Sequence, residues 1–112
     1  KFVTEASWYS HESCAYWERR GVYDCPTASG KSLYWLESHQ PYFAASWDYP
    51  MGTRLHVRHT RHALTVEVTD RGPAKRLVNQ GRRLDLSKAA FQAVCGDLAQ
   101  GTCHVTVEAV GR

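Results

Sequence analysis

Residues 53–73 read Thr53-Arg54-Leu55-His56-Val57-Arg58-His59-Thr60-Arg61-His62-Ala63-Leu64-Thr65-Val66-Glu67-Val68-Thr69-Asp70-Arg71-Gly72-Pro73, and this stretch decides the fold. From Thr53 to Arg58, Leu55 and Val57 alternate with Arg54, His56 and Arg58. From Leu64 to Thr69, Leu64, Val66 and Val68 alternate with Thr65, Glu67 and Thr69. A period of two marks half-buried strands with one face on a core. His59–His62 joins them and reads as a hairpin turn. Asp70-Arg71-Gly72-Pro73 is then a turn signal: Gly72 permits close backbone approach and Pro73 fixes the exit.

Similar signals lie on either side. Val3–Ser10, with Val3, Trp8 and Tyr9, reads as a first strand, and Val105 and Val107 alternate with His104, Thr106 and Glu108 near the end. One helix stands out. Ser87 can cap it, Lys88–Val94 are good helix formers, and Gly96 ends it. Phe91, Val94 and Cys95 form its expected buried side. Cys14–Pro41 is turn-rich and aromatic without a clear period, and is expected to be long loops with one short helical turn. The expectation is one mainly-β domain over residues 1–112 with a single late helix, closed into a barrel because closure removes exposed strand edges.

Composition narrows the class. The 112 residues suit one small domain. Hydrophobic residues at 43% and charged residues at 22% exclude wholesale disorder. No apolar run approaches the roughly 18 residues of a membrane helix, so no membrane partner is expected. The start at Lys1, with no signal-like stretch, reads as a processed product. The net charge of +3 favours anionic surfaces such as a cell wall. The basic stretch Arg71, Lys75, Arg76, Arg82, Arg83 is interrupted by Asp85 and carries no nucleic-acid motif, so no nucleic acid is expected.

Cys14, Cys25, Cys95 and Cys103 form an even set in a short chain, which suits two disulfides in a secreted protein. Their spacings lack the short knuckle of structural zinc sites, and no metal or cofactor is expected. Three pairings are open. Cys14–Cys25 and Cys95–Cys103 are favoured, since each closes a local loop flanked by turn residues.

Five segments occur in an order shared with one family: Ala6–Ser10, Thr27-Ala28-Ser29-Gly30, Ala44–Thr53, Val68–Pro73 and Arg83–Phe91. Together they resemble the double-psi β-barrel of rare lipoprotein A, expansins and barwin-like proteins. The resemblance covers nearly the whole chain and implies a six-stranded closed barrel with two interlocked ψ loops and a shallow groove. It also implies where chemistry would lie. Relatives resembling rare lipoprotein A act as lytic transglycosylases on peptidoglycan, a reaction that needs a carboxylic acid at the glycosidic oxygen. In that pattern a glutamate follows Thr-Ala-x-Gly and a histidine follows Ala-Ala. Lys31 and Ser46 stand at those positions here, and Asp70 alone of the trio remains. Expansins keep two aspartates that Asp70 and Asp85 match. Both residues also suit structural roles, one beside a turn and one before a helix.

A free-standing barrel with four cysteines, arginine- and alanine-rich usage and missing catalytic partners also resembles the secreted barrels of this fold that inhibit papain-like cysteine proteases. That resemblance ranks first here: a monomeric, non-enzymatic inhibitor that occludes the protease cleft reversibly, with Phe2, or Tyr34, Trp35 and Leu36, as the wedge. Binding of cell-wall polysaccharide, or lytic or expansin-like action on it, is the alternative. Two further groups stay open. Tyr34, Trp35, Leu36, Tyr42 and Phe43 suit either a binding surface or plugs for the barrel ends. His56, Arg58, His59, Arg61 and His62 suit either a solvated strand face or a site for a metal or an anion.

Overall fold

The computed structural model describes residues 1–112. Six strands form it: β1 (Phe2–Tyr9), β2 (Phe43–Ala45), β3 (Arg54–His59), β4 (His62–Asp70), β5 (Arg82–Ser87) and β6 (Thr102–Gly111). They close into a barrel in the order β1-β5-β2-β4-β3-β6. Two neighbouring pairs run parallel, β1 with β5 and β2 with β4, and the other four antiparallel. Parallel neighbours need long crossovers: β2 reaches β4 by way of residues 46–53 and β3, and β1 reaches β5 only after β2, β3 and β4 have been laid down.

The alternation works as the sequence implies. In β3, Leu55 and Val57 point inward while Arg54 and Arg58 face solvent. Across the hairpin, Leu55 pairs with Val66 and Val57 with Leu64. Thr60 at the turn takes φ of +53°, the left-handed region a tight reversal needs. All six strands contribute to a cluster of 15 buried residues, together with Ala90, Phe91, Val94 and Cys95 of the expected helix. That helix, α4 (Lys88–Cys95), packs against β1, β3, β4 and β5. Ser87 caps it by accepting from the Ala90 amide at 3.2 Å. Gly96 ends it at φ +92°.

The expectation of a single helix is too low. α2 (Leu33–His39) buries Leu33 and Leu36, and two further helical turns, α1 (Ala15–Glu18) and α3 (Lys75–Val78), bury nothing. α2 gives no period because only two of its residues point inward and its aromatics point out. The two strands missing from the residue-level reading are β2 and β5. β2 is three residues long and buried on both faces, so it cannot alternate.

Both favoured disulfides form. Cys14–Cys25 has its Cα atoms 5.4 Å apart, and Cys95–Cys103 6.2 Å apart. The first lies in a separate cluster of Cys14, Cys25, Leu33, Leu36 and Phe43, beside the barrel core rather than within it. It closes the loop 14–25, and Leu33 and Leu36 packed against it hold residues 14–40 as a flap beside the barrel.

Candidate functional site

Strand pairing brings two carboxylates together. β2 lies between β4 and β5, and Ala45 is in register with Asp70 on one side and Asp85 on the other. Residues paired in register point to the same face of a sheet. Asp70 and Asp85 therefore flank one methyl group at the floor of a cleft of about 260 Å³. Tyr9 at the end of β1 adds a phenol, and the stapled flap supplies the far wall with Trp17, Pro26 and Leu33. The cleft is the seam between barrel and flap.

Each acid is held differently. Asp70 Oδ1 accepts from the Ala28 amide at 3.0 Å and the Arg71 amide at 2.9 Å, so it ties the flap to the end of β4. Asp85 Oδ1 accepts from Ser7 Oγ, its register partner across the parallel β1–β5 pair. Gly72 packs close above: a Cβ there would lie 3.3 Å from Ala45 Cβ and 3.5 Å from Asp85 Oδ2. A side chain at 72 would crowd the acid, which is the close approach that the Asp-Arg-Gly-Pro turn permits.

Electrostatics follow from burial. Desolvation pushes the Asp85 carboxyl above the usual aspartate range; Ser7 and Arg82 oppose this and the nearby Asp70 charge adds to it. Burial, then the charges of Asp70 and Asp85, push the Tyr9 phenol well above its ordinary value, so it stays a neutral hydroxyl. Its oxygen is buried beside Asp70 but outside hydrogen-bond geometry, and has no partner in the protein. Arg71 lines the cleft beside the pair, and the Arg82 charge partly offsets the rise at Asp85. Arg71 spends its Nη1 on the carbonyls of Ser46 at 2.8 Å and Tyr49 at 2.5 Å. The cleft thus offers two carboxylates, the Tyr9 hydroxyl, the Arg71 side chain and an apolar wall, with Ser13 and Thr27 at its edge.

The other sequence-predicted residues lie elsewhere. Lys31 is exposed, with Nζ 3.0 Å from Gln40 Oε1 and over the Trp35 ring. Ser46 is fully buried, and its Oγ accepts from the Asp48 amide at 3.0 Å. Leu36 corrects the expected Tyr34–Leu36 wedge: it is 0% exposed in the small core under the Cys14–Cys25 staple and cannot reach a partner. Tyr34 at 39% and Trp35 at 40% remain on the surface, the latter stacked on His39. Phe2 is held between the Tyr49 ring and the Arg83 guanidinium, not projecting as a free wedge. Nowhere do three or more His, Cys, Asp or Glu side chains gather as a metal site would require.

Tyr9 and Trp17 were not singled out from sequence as site residues. Tyr9 looks like any core aromatic of a strand. Trp17 sits between two paired cysteines, and an aromatic in such a short stapled loop was the available signal.

With the barrel and cleft in view, comparison with known proteins decides the family. Residues 2–107 match the family of double-psi β-barrels described as lytic transglycolase. The chain belongs to this family. It is also 36% identical over 89 residues to the probable endolytic peptidoglycan transglycosylase RlpA of Nostoc sp.. That match takes in 78% of this chain and 22% of the relative, so the chain spans about a fifth of the relative's length. Among solved structures, cerato-platanin 3 of M. perniciosa superposes with a TM-score of 0.60 at 14% identity, covering 97% of this chain and 94% of that one. At that identity the likeness speaks for the fold alone.

Proposed function

We propose that this double-psi barrel is an extracellular or cell-envelope domain spanning residues 1–112 that binds cell-wall polysaccharide in the Asp70–Asp85 cleft, without cutting it. The observation that carries this reading is the pair of carboxylates flanking Ala45 beside the Trp17 ring. Sugar hydroxyls donate to carboxylates, and the apolar face of a pyranose packs on an aromatic wall; this cleft offers both. The two disulfides, with no free cysteine, fit an oxidising compartment.

The non-catalytic part rests on two positions. Lytic chemistry on the family's pattern needs an acid where Lys31 stands and an imidazole where Ser46 stands. Lys31 is turned to Gln40, outside the cleft, and Ser46 is buried in a turn. Asp85 holds a proton to higher pH than an ordinary aspartate, but burial and Ser7 keep it on the cleft floor. These placements support binding without cleavage.

The experiment is co-sedimentation with purified peptidoglycan sacculi, cellulose and chitin, with analysis of the supernatant for released sugars. Wild type should pellet with at least one polymer and release nothing. Trp17→Ala and Asp85→Asn should each weaken the binding, Trp17→Ala by about tenfold. Anhydro-muropeptides released by wild type but not by Asp70→Asn would overturn the non-catalytic reading. Failure to pellet with any polymer would overturn the polysaccharide reading itself.

A second reading, reversible inhibition of papain-like cysteine proteases, is favoured by one feature. Tyr34 and Trp35 stand exposed on α2, which Leu33 and Leu36 anchor into the stapled core. A rigid aromatic pair loses little ordering entropy on binding. Steady-state inhibition of papain by wild type and Trp35→Ala tests it, and no inhibition at micromolar concentration eliminates it.

A further inference from the structure

Several cations on the cleft side of the barrel are engaged. Arg20 lies over Tyr16, Lys31 meets Gln40, Arg71 meets two carbonyls, Lys75 lies over Trp47, and Arg82 and Arg83 pair with Glu5 and Asp48. On the other side of the barrel others are free. A depression of about 240 Å³ lies on the outer face of β3 and β6, lined by Lys1, His56, Arg58, Thr106 and Glu108. None of the five is in an ion pair. None of their side chains has a hydrogen-bond partner elsewhere in the molecule.

We propose that this depression is a second binding site, and that it takes a phosphate group carried on a sugar or polyol. Strand register builds it. Leu55 and Val57 point into the core, so His56 and Arg58 must point out. Arg58 pairs with Thr106 and His56 with Glu108 across the antiparallel β3–β6 ladder. Phe2 pairs with Val107, which brings Lys1, the preceding residue, beside Glu108. A guanidinium, an ammonium, an imidazole and a hydroxyl thus converge on one hollow of small-ligand size. Arginine offers a planar fork of donors that matches phosphate oxygens, and lysine adds a point charge. Phosphate, with three or four acceptor oxygens, can use all of these donors together.

Glu108 gives the site its selectivity. It repels a bare anion but accepts from the hydroxyl of an attached sugar or polyol. A phosphoester is therefore favoured over inorganic phosphate. The location matters too. In the closed order β1-β5-β2-β4-β3-β6, β6 lies diametrically opposite β2, which carries the floor of the carboxylate cleft. Each site can be filled without blocking the other. This inference goes beyond the polysaccharide reading and stands or falls separately from it.

The test is calorimetric titration at low salt with poly(glycerol phosphate), glycerol phosphate, inorganic phosphate and neutral dextran. Wild type should bind the polymer, and should lose affinity as salt is raised. Monomeric glycerol phosphate should displace the polymer and bind more tightly than inorganic phosphate, and dextran should not bind; polymer binding that glycerol phosphate does not displace would overturn the proposal. Arg58→Ala should weaken binding about tenfold or more. Glu108→Gln should strengthen binding of inorganic phosphate by relieving repulsion. Arg76→Ala, on α3 at the far side of the barrel, controls for overall charge and should bind as wild type. Equal loss in Arg58→Ala and Arg76→Ala would mean diffuse attraction and overturn the proposal, as would no binding by wild type. Asp85→Asn should leave this binding unchanged, whatever it does to polysaccharide.

Discussion

Barrel and flap reach stability by different routes. The barrel buries 15 residues drawn from six strands and α4 behind a closed hydrogen-bond ladder. The flap contributes four residues to a separate cluster, two of them the cysteines of one disulfide, packed on Phe43 of β2. A cluster of that size cannot offset the conformational entropy of residues 14–40 without a covalent staple. The difference shows why the cleft lies where it does. Its acids stand on strands that cannot move independently, while its aromatic wall stands on a segment held by one crosslink, a few side chains and the Asp70–Ala28 hydrogen bond. A rigid floor with a separately anchored wall is a common arrangement for a binding site.

The contrast can be broken most sharply from the barrel side. Phe91→Ala removes a fully buried ring at the junction of α4 and the strands. It should cost about 3–5 kcal/mol and lower the whole transition cooperatively. Chemical denaturation followed by both tryptophan fluorescence and far-UV circular dichroism checks this; the two probes should still coincide.

The flap should fail differently. Replacing Cys14 and Cys25 together by serine opens a loop whose closure contributes roughly 2.5–3 kcal/mol in the chain-entropy model. The barrel should keep its circular dichroism, while amides of residues 14–40 lose hydrogen-exchange protection and cleft binding disappears. Global unfolding at the same denaturant concentration as for Phe91→Ala would show that flap and barrel are one cooperative unit.

A smaller change tests the seam alone. Asp70→Asn keeps one oxygen but removes the charge that the amides of Ala28 and Arg71 face. It should cost about 1–2 kcal/mol and raise exchange at Ala28 without disturbing β4.

The smallest expected effect is a pH dependence. Burial raises the Asp85 carboxyl above its unfolded value, so the folded state holds the proton more tightly. The group therefore favours folding most below the ordinary aspartate range. That contribution falls as pH rises through the interval between the unfolded and folded values, then levels off. Asp85→Asn should flatten this part of the stability–pH curve and melt slightly higher than wild type at neutral pH. Thermal melts across pH 3–8 measure it; an unchanged slope would place the carboxylate in a better solvated setting than the cleft floor.

Much of the molecule was legible beforehand. β1, β3, β4 and β6 announce themselves because one face of each meets the core and the other meets water, and alternation is the trace of that asymmetry. Ser87 and Gly96 mark α4 because caps are local chemistry. The cysteine pairing was legible because each pair is close in sequence. β2 and α2 were not placed, since a three-residue strand buried on both sides and a helix with two inward residues leave no periodic trace.

The sequence alone pointed to a stapled β-barrel, and its family resemblance marked out Asp70 and Asp85. Only the tertiary structure decided that these two, 15 positions apart in sequence, flank a single alanine. It alone buried Leu36 while leaving Tyr34 and Trp35 exposed, and put Trp17 in the lining of the same cleft as the two acids. The physical reason is the same in each case. Period, caps and turns are set by a residue's near neighbours along the chain, whereas a cleft is made by strand order, and strand order depends on how every strand buries its apolar face at once.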